Sequence, residues 1–468
     1  MSKLFRCVIQ LRLLSTGILC GRHKGTDRIF TDLSKILASV SSSTVVTDMR
    51  IYPVRAPQQL LSRRIMDFAF SSDDLALRSE IQAFIREHMN DEVRSGLALA
   101  SVGAESPPAV EALLEKIRKR GWAAVSWPQR YGGQGRSRLA QFIVEEEFHR
   151  AAALNVGGGG TGAPAILASG TEEQKDTFVP ASIRMEVVFC QGYSEPQCGT
   201  DLAGIRCRAT RAGEKYVING QKIYTTNAQN STHIFLMVRT DPASTRHAGL
   251  SVLLVPMNLP GIEVRPLWTI QYEPRAPLTT TYAEPRTNEV FFDNVEVPVS
   301  CRLGDEGDGW RVVQRGLNLD RVGARRYLIS VMRDEDLVNH LKTDAPGIPQ
   351  KRRDPRVRDK VAELWIEAQV CRLMTMRSVS IDEQGGEFVY EAAAEKVFAP
   401  EHGVRATEAI SQILGPVSQL LNGSPYAVDE GIFAHNLLGA FQSTVNHGSV
   451  QVMRDQVARK GLGMPRSR

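Results

Sequence analysis

Apolar positions along this chain change their period twice. Between residues 66 and 183 they recur at helical spacing. Leu77, Ile81, Phe84 and Ile85 share one face of a helix, and Ser71, Ser72, Asp73 and Asp74 open it with capping oxygens and acids. The same spacing predicts helices over about 109–120 and 139–153, and another that Thr171 caps ahead of Glu172 and Glu173. Between them, residues 121–135 (GWAAVSWPQRYGGQG) carry Pro128 and four glycines, which predicts a turn-rich connection.

From 184 to 300 the period shortens toward two. Tyr216-Val217-Ile218, then Asn219-Gly220, then residues 222–226 predict a hairpin closed by a type I′ turn. Runs at 234–238, 250–255 and 289–292 are β-rich, so the middle reads as a small antiparallel barrel or sandwich. Residues 271–287, with three prolines, read as an inserted loop. From 301 to 468 helical spacing returns. One long helix is predicted over 310–333, and Val357, Val361, Leu364, Trp365, Ala368 and Cys371 mark a second. A third over 389–414 stops at Gly415-Pro416, and the last covers about 449–460. The fold class is therefore α+β and multidomain: a helical domain over 66–183, a β domain over 184–300 and a helical domain over 301–468.

Composition refines this picture at the N-terminus. The 468 residues are 42% hydrophobic and 23% charged, as in a globular chain. The formal charge of +5 is uneven: residues 1–65 hold eleven Lys/Arg against Asp27, Asp32 and Asp48, so the remainder carries about −3. This Ser-rich basic leader reads either as an organellar transit peptide or as residues ahead of a true start at Met66. The first reading implies the mitochondrial matrix, the second a bacterial cytoplasm. No basic stripe with interleaved aromatics supports nucleic-acid binding, and no run approaches eighteen apolar residues, so no stable membrane anchor is expected. Cysteines 7, 20, 190, 198, 207, 301 and 371 form no CxxC or Cys/His pattern, which suits a reducing compartment and no metal site. Gly157–Gly162 (GGGGTG) matches GxGxxG, but helices flank it, so it is not read as a dinucleotide loop.

Six segments in consistent order resemble the acyl-CoA dehydrogenase family. They are 127–133 (WPQRYGG), 170–175 (GTEEQK), 191–204 (QGYSEPQCGTDLAG), 219–227 (NGQKIYTTN), 289–298 (EVFFDNVEVP, followed by Gly309-Trp310) and 452–465 (VMRDQVARKGLGMP). The wording is nearest to bacterial, actinobacterial-type members acting on fatty or steroid side chains. The resemblance implies an N-terminal helical domain, a middle β domain with the flavin loop, and a C-terminal four-helix bundle. It also implies FAD, an acyl-CoA substrate oxidised between its α and β carbons, and an electron-transfer flavoprotein as electron acceptor. A homodimer, homotetramer or mixed oligomer with a paralogue is expected with it.

Carried onto this sequence, the flavin set is Tyr193, Ser194, Gly199, Thr200, Tyr224 and Thr226. A flavin needs donors for its pyrimidine oxygens and N5, and a wall against the ring. Ser194 and Thr226 offer hydroxyls, Gly199-Thr200 offer amides that a missing Cβ leaves approachable, and Tyr224 stands where relatives carry Trp or another bulky residue. Gln412 and Gly415 match the segment that reaches a partner subunit's FAD, although Pro416 follows where many relatives have Gly.

Two positions compete for the base that removes the α-proton. Asp320, in Leu317-Asn318-Leu319-Asp320-Arg321, and His447, in Asn446-His447-Gly448-Ser449, each occupy a slot where relatives carry Glu. Asp is shorter than Glu by one bond, about 1.5 Å, and about 1 Å of misplacement costs on the order of 100-fold. His447 could act near neutral pH, or serve through its backbone N–H alone. Neither side chain being the base is the third alternative. Asn318 and Arg321 are expected at the substrate. Two other functions stay open: a non-catalytic or co-catalytic subunit of a mixed assembly, and a related flavin oxidase or monooxygenase.

Overall fold

The computed structural model describes residues 68–101, 107–152, 154, 156, 162–244, 246–269, 287–421 and 424–466. The leader 1–65, most of the Gly-rich segment at 157–162 and the insert from 271 to 286 lie outside the described residues.

The helical start is α1 (Ser72–His88), α2 (Asp91–Ser101), α3 (Pro108–Lys119), α4 (Arg138–Ala152), α5 (Gly162–Ser169) and α6 (Glu172–Ile183). Ser71 caps α1 reciprocally with Asp74, and Thr171 caps α6 reciprocally with Gln174. Each such cap contributes about 1 kcal/mol. Leu77, Ile81 and Phe84 bury against Trp122, Ile143 and Phe148.

The middle holds β1 (Phe189–Gly192), β2 (Arg208–Ala212), β3 (Lys215–Thr226), β4 (His233–Arg239), β5 (Leu250–Pro256), β6 (Ile262–Pro266), β7 (Thr287–Pro298) and β8 (Arg302–Leu303). They form one eight-stranded sheet in the order β6-β7-β3-β2-β4-β5-β8, with β1 beside β4. Most neighbours are antiparallel, but β1 runs parallel to β4 and β2 touches β4 in parallel, so the sheet is mixed. β4 and β5 are buried on both faces. Phe235 and Met237 pack toward α5, α6 and the helix that follows the sheet, while Ile234, Leu236 and Val238 pack inward on Tyr216 and Ile218. A strand covered on both sides has no reason to alternate, hence its continuous apolar run.

Asn219-Gly220 is not a hairpin turn. β3 is continuous through it, and the turn to β2 lies at Gly213. Gly220 instead sits at a bulge against β7, with φ +148°, where a Cβ would lie 2.7 Å from the Cα of Cys207. Asn219 accepts the amide of Asn294 at 3.0 Å on the facing strand. Gly is needed for a close approach rather than for a reversal.

The C-terminal part holds α7 (Gly309–Arg321), α8 (Ala324–Leu341), α9 (Ile348–Arg353), α10 (Pro355–Glu383), α11 (Glu391–Leu414), α12 (Ile432–Gly439), α13 (Gln442–Val445) and α14 (Val450–Gln456). The four helices α8, α10, α11 and α14 pack as a bundle, and α4 lies against α8 and α10. The single helix expected over 310–333 is two, broken at Val322-Gly323. Gly323 has φ +141° and ψ 159°, a conformation open to glycine alone. Among the described residues no helix is long and apolar enough to cross a membrane.

Candidate functional site

The loop after β1 and the second half of β3 are laced together. The Ile223 amide donates to the Ser194 carbonyl at 2.9 Å, and the Lys222 ammonium donates to the Tyr193 carbonyl at 3.0 Å. Lys222 also meets Glu195 Oε1 at 2.8 Å, with both side chains at 2% exposure or less. Glu195 further accepts the amides of Arg206 at 2.6 Å and Cys207 at 2.9 Å. Paired backbone bonds between Glu195 and Cys198 then close the loop into a tight turn. A buried charge is tolerated because its partners are in place.

Alternation along β3 puts Tyr216, Ile218 and Lys222 inward. Continued, it would bury Tyr224, but the register slips between Lys222 and Thr225 and Tyr224 takes φ +59°. Thr225 is buried instead, and Tyr224 stands 63% exposed beside exposed Thr226. Tyr224 is therefore neither core nor cross-strand packing. Among the described residues, the hydroxyls of Ser194, Thr200 and Thr226 and the amides of Gly199 and Thr200 meet no partner within the chain. The result is an edge of free donors next to an uncovered aromatic ring. Tyr193 packs its ring edge-on to Phe235, centroids 6.0 Å apart, and so anchors the loop to β4. This chemistry fits a flavin: donors for polar ring atoms, glycine where the backbone must approach, and an aromatic wall.

The other expected residues are spread over the C-terminal helices. Asn318, Asp320 and Arg321 occupy the last turn of α7, which packs against α5 and β5; the side chains of Asp320 and Arg321 lie outside the described residues. His447 and Gly448 have φ +53° and +94°, a tight turn directly before Ser449, which caps α14. Gln412 is exposed near the end of α11, and the Cβ direction of Gly415 (φ +75°) meets nothing within 4 Å. Lys351 donates to the Ile413 carbonyl at 2.6 Å and holds that terminus. No described hydrogen bond joins Gln412 or Gly415 to the donor edge of the same chain.

Sequence reasoning missed several buried polar groups. Lys222 and Glu195 carry a readable signal, because a lysine on the inward face of a β run needs an acid. His402 carries none. It is fully buried, with Nε2 2.8 Å from Asp334 and Nδ1 2.9 Å from Glu367, on α8 and α10. Burial opposes charge on this imidazole, but the bonds and charges of Asp334 and Glu367 outweigh it and hold its pKa above the usual value. Glu146 on α4 is likewise gripped by Arg78, Arg372 and Tyr327. Burial pushes the Cys207 thiol up to about 11, so it is no thiolate nucleophile. Among the described residues no group of His, Cys, Asp or Glu could hold a metal ion.

Comparison with known proteins matches three consecutive domains: "Acyl-CoA dehydrogenase, N-terminal domain" over 71–186, "Acyl-CoA dehydrogenase, middle domain" over 190–295 and "Acyl-CoA dehydrogenase, C-terminal domain" over 307–462. The acyl-CoA dehydrogenase FadE26 of Mycobacterium tuberculosis is 32% identical over 416 residues, covering 86% of this chain and all of the relative. Among solved structures, the Tcur3481-Tcur3483 steroid ACAD is similar at TM-score 0.73 and 29% identity, over 86% of this chain and 100% of that one. The ChsE4-ChsE5 complex from Mycobacterium tuberculosis is similar at TM-score 0.71 and 30% identity, with the same coverage.

Proposed function

This chain belongs to the acyl-CoA dehydrogenase family, a family of oxidoreductases, and on that premise we propose that it is an FAD-dependent enzyme introducing an α,β double bond into an acyl-CoA thioester. The observation that carries this reading is the edge of unpartnered donors at Ser194, Gly199, Thr200 and Thr226 beside exposed Tyr224. FAD bound there would accept the β-hydride. Ser194, Thr226 and the amides of Gly199 and Thr200 would hold its polar ring atoms, Tyr224 would lie against its face, and Tyr193 would keep the loop in place.

Asp320 takes the α-proton onto its carboxylate, from the last turn of α7. Asn318 and Arg321, on the same turn, orient the acyl-CoA. His447 offers the backbone N–H of a left-handed turn to the thioester carbonyl, where it favours the enolate-like charge that develops as the proton leaves. Gln412 and Gly415 serve the FAD of another subunit, a reading supported by the exposure of Gln412 and by the open space before Gly415. The oligomer is built from copies of this chain or from this chain and a paralogue. The two-part names of the similar structures favour the mixed form. An electron-transfer flavoprotein would then receive the electrons, and the bacterial origin of the relative supports a cytoplasmic setting.

The test is a pair of variants. Asp320→Asn retains FAD and loses flavin bleaching by acyl-CoA, whereas His447→Ala, which keeps its N–H, still bleaches. Unchanged bleaching in Asp320→Asn removes Asp320 as the base; loss confined to His447→Ala transfers the role. In the co-catalytic reading, the single chain is colourless and becomes active only with its paralogue.

A further inference from the structure

The break between α7 and α8 is held from the N-terminal helices. Gly323 lacks a side chain to cap α8. Glu145 on α4 fills that role across 179 positions of sequence: its Oε2 accepts the Ala324 amide at 3.2 Å. The backbone at φ +141° favours glycine here, and a Cβ on residue 323 would also crowd that same oxygen at 3.0 Å. The other carboxylate oxygen of Glu145 is itself steadied, accepting from Gln141 Nε2 at 3.3 Å one turn earlier.

Glu145 is the first of three grips along α4. Glu146 accepts from the Tyr327 hydroxyl, and Arg150 pairs with Glu335, so positions 145, 146 and 150 of α4 meet α8 at 324, 327 and 335. On the near side of the break, α7 is tied elsewhere: Arg315 donates to the Ala168 carbonyl at 3.3 Å, and Gly316 lies close to Ala165 on α5. Val322 and Ala324 flank the bend and are both buried. The direction of the last turn of α7 is thus set by two anchors, α5 below it and the Glu145 cap just beyond it.

We propose that Glu145 is a positioning residue for the dehydrogenation, fastening the Val322-Gly323 bend and so fixing where the last turn of α7 presents Asp320. This rests on the reading of α7 as the base-bearing helix. A carboxylate at a helix N-terminus satisfies an otherwise orphan amide and complements the helix dipole. Removing it frees a joint of two residues directly behind the base, and a shift of about 1 Å there costs on the order of 100-fold. The short reach of Asp makes that tolerance narrower than it would be for Glu.

The experiment is anaerobic stopped-flow reduction of the FAD-loaded protein by saturating acyl-CoA. Glu145→Ala is expected to slow reduction by roughly 10- to 100-fold, with acyl-CoA affinity within about twofold and flavin content unchanged. Glu145→Gln, which keeps an oxygen acceptor for the Ala324 amide, restores most of the rate. Glu147→Ala is the packing control: it removes an ion pair from the same helix to Arg78 on α1, and leaves the rate as in the parent. An unchanged rate in Glu145→Ala overturns the inference, as does an equal fall in Glu147→Ala. Should Glu145→Ala fail to fold, Glu145→Asp, too short to reach the amide, reads the same rate. Asp320→Asn is measured alongside. If it is inactive while Glu145→Ala is normal, only the positioning role falls; if it reduces normally, the base assignment falls and the positioning role with it.

Discussion

Replacing Lys222 by Met removes one charge and little volume from the centre of the attachment of the loop proposed to bind flavin. In the parent, the ammonium sits 2.8 Å from Glu195 Oε1 and 3.0 Å from the Tyr193 carbonyl, with its side chain wholly buried. The variant leaves the Glu195 carboxylate buried, still accepting the Arg206 and Cys207 amides but without a cation. Breaking a buried pair on one side costs about 3–5 kcal/mol. At about 2–4 °C per kcal/mol for a domain of this size, the melting midpoint falls by roughly 6–20 °C. The Tyr193 carbonyl also loses the Lys222 ammonium, so the loop carrying Ser194, Gly199 and Thr200 loosens and FAD is retained less well. The assay is a thermal melt followed by flavin absorbance and by far-ultraviolet circular dichroism. Lys222→Met with Glu195→Leu removes both charges and recovers part of the midpoint. A Lys222→Met protein that melts within about 2 °C of the parent and keeps a full complement of FAD would refute the reasoning.

Three further outcomes follow from the same geometry. Two residues inserted between Asn219 and Gly220 are expected to prevent soluble expression, because they interrupt a bulged pairing inside the sheet; the same insertion after Gly213, an exposed turn with open space around it, is tolerated. Equal tolerance at both sites would restore the hairpin reading of Asn219-Gly220. The His402 pKa is raised above its unfolded value of about 6.5, so its pairing with Asp334 and Glu367 stabilises fully below that pH and is lost as pH rises through the folded value. The melting difference between the parent and His402→Asn should therefore be widest near pH 6 and narrow toward alkaline pH; widening instead would contradict it. Thr171→Ala removes the α6 cap and should cost about 1 kcal/mol without changing flavin content, read by thermal melts.

What could be read from the sequence was local. Ser71 with Asp74, and Thr171 with Gln174, declare their helix starts within four residues. The order of helices, sheet and helices follows from period alone. What could not be read depends on distant partners. Asn219-Gly220 has the composition of a turn, and only Cys207 and Asn294, approached through space, make it a bulge. The helix over 310–333 is periodic enough to be continuous, and it is Gly323 together with Glu145 that breaks it. Tyr224 shows the limit most clearly: strict alternation buries it, and a single slip of register against β7 exposes it next to Thr226, where a flavin could meet it.

The central claim is that this chain oxidises acyl-CoA thioesters through a bound flavin, and anaerobic titration of the purified protein with a panel of straight-chain, branched and steroid side-chain acyl-CoAs tests it most directly. The account predicts a yellow protein whose flavin absorbance is lost on adding at least one of these thioesters without oxygen. A yellow protein whose flavin stays oxidised with every acyl-CoA, or one that instead forms peroxide in air from a substrate lacking CoA, would contradict it.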